Sequence, residues 1–183
     1  ALRRLGATWT FLKVGPRLRG DLDACVVILL DRRALTLIPD LRRHKSDFQA
    51  FVERGGHLIV MAQDADVWNS WGLIDGLQLT PSHAFDEYAG VDTDSTHRLL
   101  NSPNRMRPED WTDWLQRRAF NELSGPALER ADIPVKVHAT GAPLVVTWKR
   151  GAGTLTYADL AFQPQFLNVH PGAYRLLANL ISY

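Results

Sequence analysis

Two unbroken apolar runs dominate the hydrophobic pattern. Residues 24–30 read Ala-Cys-Val-Val-Ile-Leu-Leu and stop at Asp31, and residues 57–61 read His-Leu-Ile-Val-Met. Apolarity without alternation marks a strand covered on both faces, as in a parallel sheet. Between the runs, residues 39–54 place Leu41, Phe48, Phe51 and Val52 at helical spacing. Pro39 suits the first turn of that helix and Gly55-Gly56 ends it. Strand, helix, Gly-Gly, strand predicts a βαβ crossover, the strongest structural signal in the chain.

The pattern is weaker on either side of this unit. Residues 1–5 look like the end of a helix stopped by Gly6, residues 8–14 like a short strand, and residues 15–23 like a turn-rich connection. From 62 to 104 the periodicity fades into irregular chain, with one short strand expected at 77–80. Residues 108–118 predict a helix with Pro108 at its start and Glu109 and Asp110 in its first turn, where acids suit the macrodipole. Short strands are expected at 135–138, 143–148 and 154–159, the last two joined as a hairpin through 149–153. Residues 171–183 close as a helix with Tyr174, Leu177, Ala178 and Ile181 on one face.

The 183 residues predict a single domain spanning 1–183. An α/β domain normally opens on a strand ahead of its first helix, so the chain is expected to be part of a longer protein. The 45% hydrophobic and 22% charged fractions are ordinary globular values. A formal charge of +1 argues against a nucleic-acid partner, and no apolar run reaches the length of a membrane span. The 17 arginines are scattered among acids, which suits a compositional bias better than a phosphate-recognition stripe. Cys25 is the single cysteine, so no internal disulfide can form and the compartment stays open.

Four segments carry a family resemblance. They are the Val-Glu-Arg-Gly-Gly-His-Leu-Ile-Val junction at 52–60, the run His-Arg-Leu-Leu-Asn-Ser-Pro-Asn-Arg-Met at 97–106, and Asp-Trp-Thr-Asp-Trp-Leu-Gln-Arg-Arg at 110–118. The fourth pairs Gly-Ala-Gly-Thr-Leu-Thr-Tyr at 151–157 with Pro-Gly-Ala-Tyr-Arg-Leu-Leu-Ala-Asn-Leu at 171–180. In this order the chain resembles the glutamine-amidotransferase-like domain found at the C-terminal side of bacterial PIG-L (LmbE-type) deacetylases. The middle two segments are the specific ones. The resemblance implies a flavodoxin-like parallel sheet with helices on both faces and an added β-hairpin region near the C-terminus. It also implies an accessory role beside a zinc-dependent N-deacetylase domain of the same polypeptide, with a glycan as a second partner. The chain departs from the family pattern after Arg118, where an aromatic-rich stretch is usual and Ala-Phe-Asn-Glu stands instead.

Catalytic chemistry is sparse. A class I amidotransferase needs a Cys on a sharp strand-to-helix turn. The matching turn after residue 61 reads Ala-Gln-Asp-Ala-Asp, without nucleophile or glycine. Cys25 falls inside the first apolar run, where a thiol acts as a small hydrophobe. The six histidines are far apart in sequence and form no paired zinc motif. Asp64 and Asp66 end a parallel strand at its carboxyl edge, where open α/β sheets place ligands, though they also suit a helix cap. Trp68 and Trp71 beside them offer either sugar-stacking faces or core packing. The candidate ligand-binding set is Gln63, Asp64, Asp66, Trp68, Trp71, His97, Asn104 and Arg105, with no catalytic residue, metal ligand or cofactor assigned. Three functions compete: the accessory domain, a stand-alone carbohydrate-binding module, and a ThuA-like hydrolase using Asp64 with His97.

Overall fold

The computed structural model describes residues 1–15, 18–82, 89–115 and 119–183. A 3-10 turn at Leu2–Leu5 leads to α1 (Leu18–Asp23) and β1 (Val27–Leu30). Next come α2 (Ala34–Leu37), a 3-10 turn at Pro39–His44, α3 (Lys45–Glu53), β2 (His57–Met61) and α4 (Ala65–Trp71). The remainder holds β3 (Gln78–Pro81), β4 (Val91–Thr93), β5 (Asn121–Ser124), β6 (Asp132–Val137), β7 (Pro143–Arg150), β8 (Gly153–Ala158), α5 (Phe162–Leu167) and α6 (Pro171–Ser182).

The central sheet runs β1-β2-β8-β7-β6-β4. The expected βαβ unit is present: β1 pairs in parallel with β2, from Val27 opposite His57 to Leu30 opposite Val60. β8 extends the parallel part on the other side of β2. Beyond β8 every pairing is antiparallel, because a tight hairpin delivers β8 from β7. The sheet is therefore mixed α/β, parallel only over three strands. A separate antiparallel pair joins β3 to β5.

Alternate residues of each central strand enter opposite layers, as a pleated strand requires. Leu58, Val60, Leu155 and Tyr157 pack with Phe48, Phe51, Val52 and Trp68 on one side of the sheet. Ile59, Met61 and Ala158 pack with Trp111, Trp114, Leu176, Leu177 and Leu180 on the other. All five residues of β2 are buried, which is why that run is continuously apolar.

The glycines of the two motifs meet. A Cβ on Gly153 would stand 2.1 Å from the Val52 carbonyl oxygen and 2.3 Å from that of Gly56. Thr154 N–H donates to Gly56 O at 3.2 Å, and Ala152 N–H to Glu53 O at 3.1 Å. The hairpin apex is thereby seated against the end of α3, and only a residue without a side chain allows that approach.

Several local expectations are corrected. Residues 8–14 form no strand and pair with none among the described residues; Leu12 and Val14 pack against the core. Part of the expected turn at 15–23 is α1, and the irregular stretch after 62 opens with α4, capped by Gly72 at φ 58°. The helix expected over 108–118 ends as a 3-10 turn at Pro108–Trp111, and Asp113 takes a left-handed backbone at φ 57°. Residues 116–118 of that expectation lie outside the described residues. Cys25 precedes β1 rather than lying within it, and its Sγ is 3.3 Å from Asp21 O. Its half-buried position against the core still makes it a packing residue.

Candidate functional site

The carboxyl ends of β1, β2 and β8 converge on one depression of about 330 Å³. Arg32 and Arg33 follow β1, and Gln63, Asp64 and Asp66 follow β2. Pro81 of β3, Phe120, and Asn121 at the start of β5 complete the lining. The sheet places the site here because strands that run in the same direction end at the same edge, and their following loops must splay apart.

The floor is a fully buried polar network. Gln63 is spent on the backbone: its Nε2 donates to Asp31 O at 2.9 Å and Met61 O at 2.6 Å, and its Oε1 accepts Leu35 N–H at 3.1 Å. It thus ties the ends of β1 and β2 to the start of α2. Asn121 donates its backbone N–H to Asp159 Oδ2 at 2.6 Å and its side-chain amide to Gln63 O at 3.0 Å and Asp159 Oδ1 at 3.1 Å. The Tyr157 hydroxyl donates to Asp159 Oδ1 at 3.2 Å and accepts Gln63 N–H at 3.1 Å. Complete burial drives the Asp159 carboxyl up to about 7, even though the hydrogen bonds from Asn121 and Tyr157 favour the ionised form. Burial, with the Asp159 charge beside it, also raises the Tyr157 phenol well above its ordinary value.

The rim carries opposite charges. Asp64 sits at the N-cap position of α4 but makes no capping bond. Its carboxylate instead receives Arg33 Nε at 3.0 and 3.1 Å and the Thr36 hydroxyl at 2.6 Å. Partial desolvation pushes that carboxyl up, and the Thr36 and Arg33 hydrogen bonds with the charges of Arg33 and Arg32 outweigh it, so the group is held below its ordinary value. Arg33 adopts φ 59°, a left-handed backbone uncommon outside glycine, asparagine and aspartate. Its backbone N–H is held by Ala62 O at 3.0 Å, across the gap between the β1 and β2 loops. The Arg32 guanidinium lies over the Phe120 ring at 4.2 Å.

Of the eight candidate residues, Gln63, Asp64 and Asp66 line this depression. Trp68 and Trp71 stand behind it: they are 0% and 5% exposed, so neither presents a ring face to solvent. The Trp68 ring packs 5.1 Å from that of Tyr157, beneath the network, and Trp71 Nε1 donates to Arg42 O at 3.0 Å. Helix α4 turns both indoles inward.

His97, Asn104 and Arg105 belong to the opposite layer. His97 Nδ1 accepts Leu99 N–H at 3.2 Å, and its ring stacks on Tyr183 at 5.4 Å. Tyr183 also packs 5.8 Å from His57, which starts β2, whereas Asp64 follows the end of that strand. The four residue steps along β2 separate its two ends by about 13 Å, so the Asp64–His97 acid–base pair is not assembled. Asn104 is bound to Asn179 of α6 through its backbone N–H at 2.9 Å and its carbonyl at 2.7 Å. Arg105 is exposed. Among the described residues no three His, Cys, Asp or Glu side chains gather as a metal site, and no helix is long and apolar enough to cross a membrane.

Arg32, Arg33, Phe120, Asn121, Tyr157 and Asp159 were not singled out from sequence. Asp159 leaves a trace, a lone carboxylate closing an apolar strand. Asn121 leaves none, since only the β3–β5 pairing carries it to the pocket.

No known protein family matches the chain, and no curated protein does. Solved structures do match. A cytoplasmic protein from Salmonella typhimurium aligns at TM-score 0.68 and 15% identity, over 99% of this chain and 82% of its own. A second cytoplasmic protein, from Salmonella typhimurium LT2, aligns at TM-score 0.60 and 14% identity, over 92% and 75%. An exo-β-1,4-mannosidase from Opitutaceae bacterium strain TAV5 aligns at TM-score 0.45 and 18% identity, over 76% of this chain and 23% of that enzyme. At these identities the likeness is one of fold.

Proposed function

We propose that the chain is a non-catalytic, glutamine-amidotransferase-like accessory domain that holds a glycan in its carboxyl-edge pocket, beside a zinc-dependent PIG-L/LmbE-type N-deacetylase domain. The observation that carries the reading is the lining of that pocket. Its lining offers the guanidinium groups of Arg32 and Arg33 and the Asp66 carboxylate over a floor of internally hydrogen-bonded amides, and Phe120 and Pro81 add apolar surface. A sugar is recognised by that combination, polar groups for hydroxyls and an apolar face for its C–H side. The turn after β2, where an amidotransferase would carry its nucleophile, presents Gln63 and Asp64. Both are already engaged with neighbours, and neither is poised as an attacking group. The partner assignment rests on the resemblance of residues 97–106 and 110–118. Exposed apolar side chains, among them Phe11 at 81% and the Trp9 ring packed edge-on against it at 4.9 Å, suit a domain that docks on another.

Calorimetric titration with neutral and acidic N-acetylated oligosaccharides, run alongside assays for released acetate and ammonia, tests this reading. Saturable binding without turnover is expected. Turnover by the isolated chain, or heat from no sugar, overturns it.

A further inference from the structure

The pocket is unequally equipped with donors and acceptors. Asp64 has both oxygens occupied, by Arg33 Nε and by Thr36. Arg33 gives only its Nε to that pair, so its two terminal nitrogens carry N–H groups that meet no partner among the described residues. The Arg32 guanidinium lies over the Phe120 ring, 4.2 Å from its centroid, and makes no ion pair among the described residues. The floor amides of Gln63 and Asn121 are already committed. Two guanidinium groups with open donors thus line the depression together with the exposed Asp66 carboxylate, which meets no hydrogen-bond or ion-pair partner among the described residues. Both forks are positioned in advance, one by a carboxylate and an unusual backbone turn, the other by an aromatic ring. A planar guanidinium with free N–H pairs is matched by an oxyanion that can accept two parallel bonds.

We infer that the ligand of this pocket is an acidic sugar, a carbohydrate unit whose carboxylate or phosphoryl group is gripped by Arg32 and Arg33 while Asp66 accepts one of its hydroxyls. The inference rests on the glycan-holding reading above and specifies its ligand. The volume of about 330 Å³ stands at the small end of ligand pockets, which suits one sugar unit rather than an extended chain.

The test is calorimetric titration of the intact chain with four ligands: a glucuronate-containing disaccharide, the same disaccharide with its carboxylate reduced to the alcohol, glucose 6-phosphate, and inorganic phosphate. Expected are binding of the uronate or the sugar phosphate at least tenfold tighter than the reduced disaccharide, and weakening as salt rises. Arg32→Gln and Arg33→Asn are each expected to remove at least tenfold of that affinity. Asparagine tolerates the left-handed backbone at position 33, and Arg32 is exposed, so both variants should keep the wild-type melting curve. Equal affinity for the acidic and reduced disaccharides would overturn the inference and leave the glycan-holding reading intact. Inorganic phosphate binding as tightly as either acidic sugar would mean that the pocket reads charge alone, which also overturns it. No binding by any sugar would remove both readings.

Discussion

At the residue scale, two buried groups that titrate in the acid to neutral range, Asp159 and His57, act on stability in opposite directions. Asp159 has an ordinary value of 3.8 and is raised to about 7 in the fold. Between those values the folded protein keeps a proton that the unfolded chain has lost, so this group makes stability fall as pH rises. His57, lowered by burial from 6.5 to about 4, makes stability rise with pH between about 4 and 6.5. Asp159→Asn removes only the first effect. Wild type should therefore lose stability relative to Asp159→Asn as pH climbs from about 4.5 to 6.5, read from urea midpoints; parallel profiles would place the Asp159 proton elsewhere. Trp68→Ala should lose about 3–5 kcal/mol, the usual cost of emptying an aromatic site in a core. Chemical unfolding gives that number, and a loss under about 1 kcal/mol would contradict the packing seen for Trp68. The tryptophans show why residue roles were only half legible. Trp68 and Trp71 stand three apart, which is helical spacing, but the polar residues between them hide the apolar stripe.

At the element scale, what could be read was what local sequence determines. The β1–α3–β2 unit announces itself through two apolar runs, a periodic helix and Gly55-Gly56, and α6 through its own stripe. The β3–β5 pair could not be read, because residues 78–81 meet residues 121–124 across some forty positions and neither segment alternates strongly. The 108–118 helix was over-read, since good N-terminal signals say nothing about where a helix stops. The direction of β7 follows from the Gly151–Gly153 apex, where a hairpin reverses the chain and breaks the parallel order. That apex supplies a sharp comparison between two glycines. Gly153→Ala should cost about 1–3 kcal/mol, because its methyl group would collide with rigid backbone carbonyls. Gly20→Ala, in α1 with open space around it, should instead stabilise by about 0.5–1 kcal/mol. Denaturant melts of the two variants check both signs, and similar shifts would mean that the hairpin does not seat on α3 as described.

At the scale of the whole molecule, the fold is shared with proteins 14–15% identical to it, so the architecture is robust to nearly complete change of sequence. The carboxyl-edge rule pointed to Asp64 and Asp66 from sequence alone, and both line the depression together with Gln63. The other half of the site, Phe120, Asn121 and Asp159, arrives from segments whose positions depend on long-range pairing. A depression assembled from four loops has no contiguous signature. The organisation also divides labour by layer: one side of the sheet supports the pocket through Trp68 and Tyr157, while His97 and Asn104 fasten α6 on the other.

In the proposed function a glycan binds in the carboxyl-edge depression. The most direct measurement is a two-dimensional amide NMR titration of the chain with a neutral and an acidic oligosaccharide in turn. The largest shifts should fall on the side-chain amides of Gln63 and Asn121 and on the backbone amides of Arg33 and Asp66. Those shifts should shrink in Asp66→Ala, while His97 and Asn104 stay unmoved. Shifts clustered around Asn104 or the exposed Trp9 and Phe11, with the pocket amides still, would contradict it.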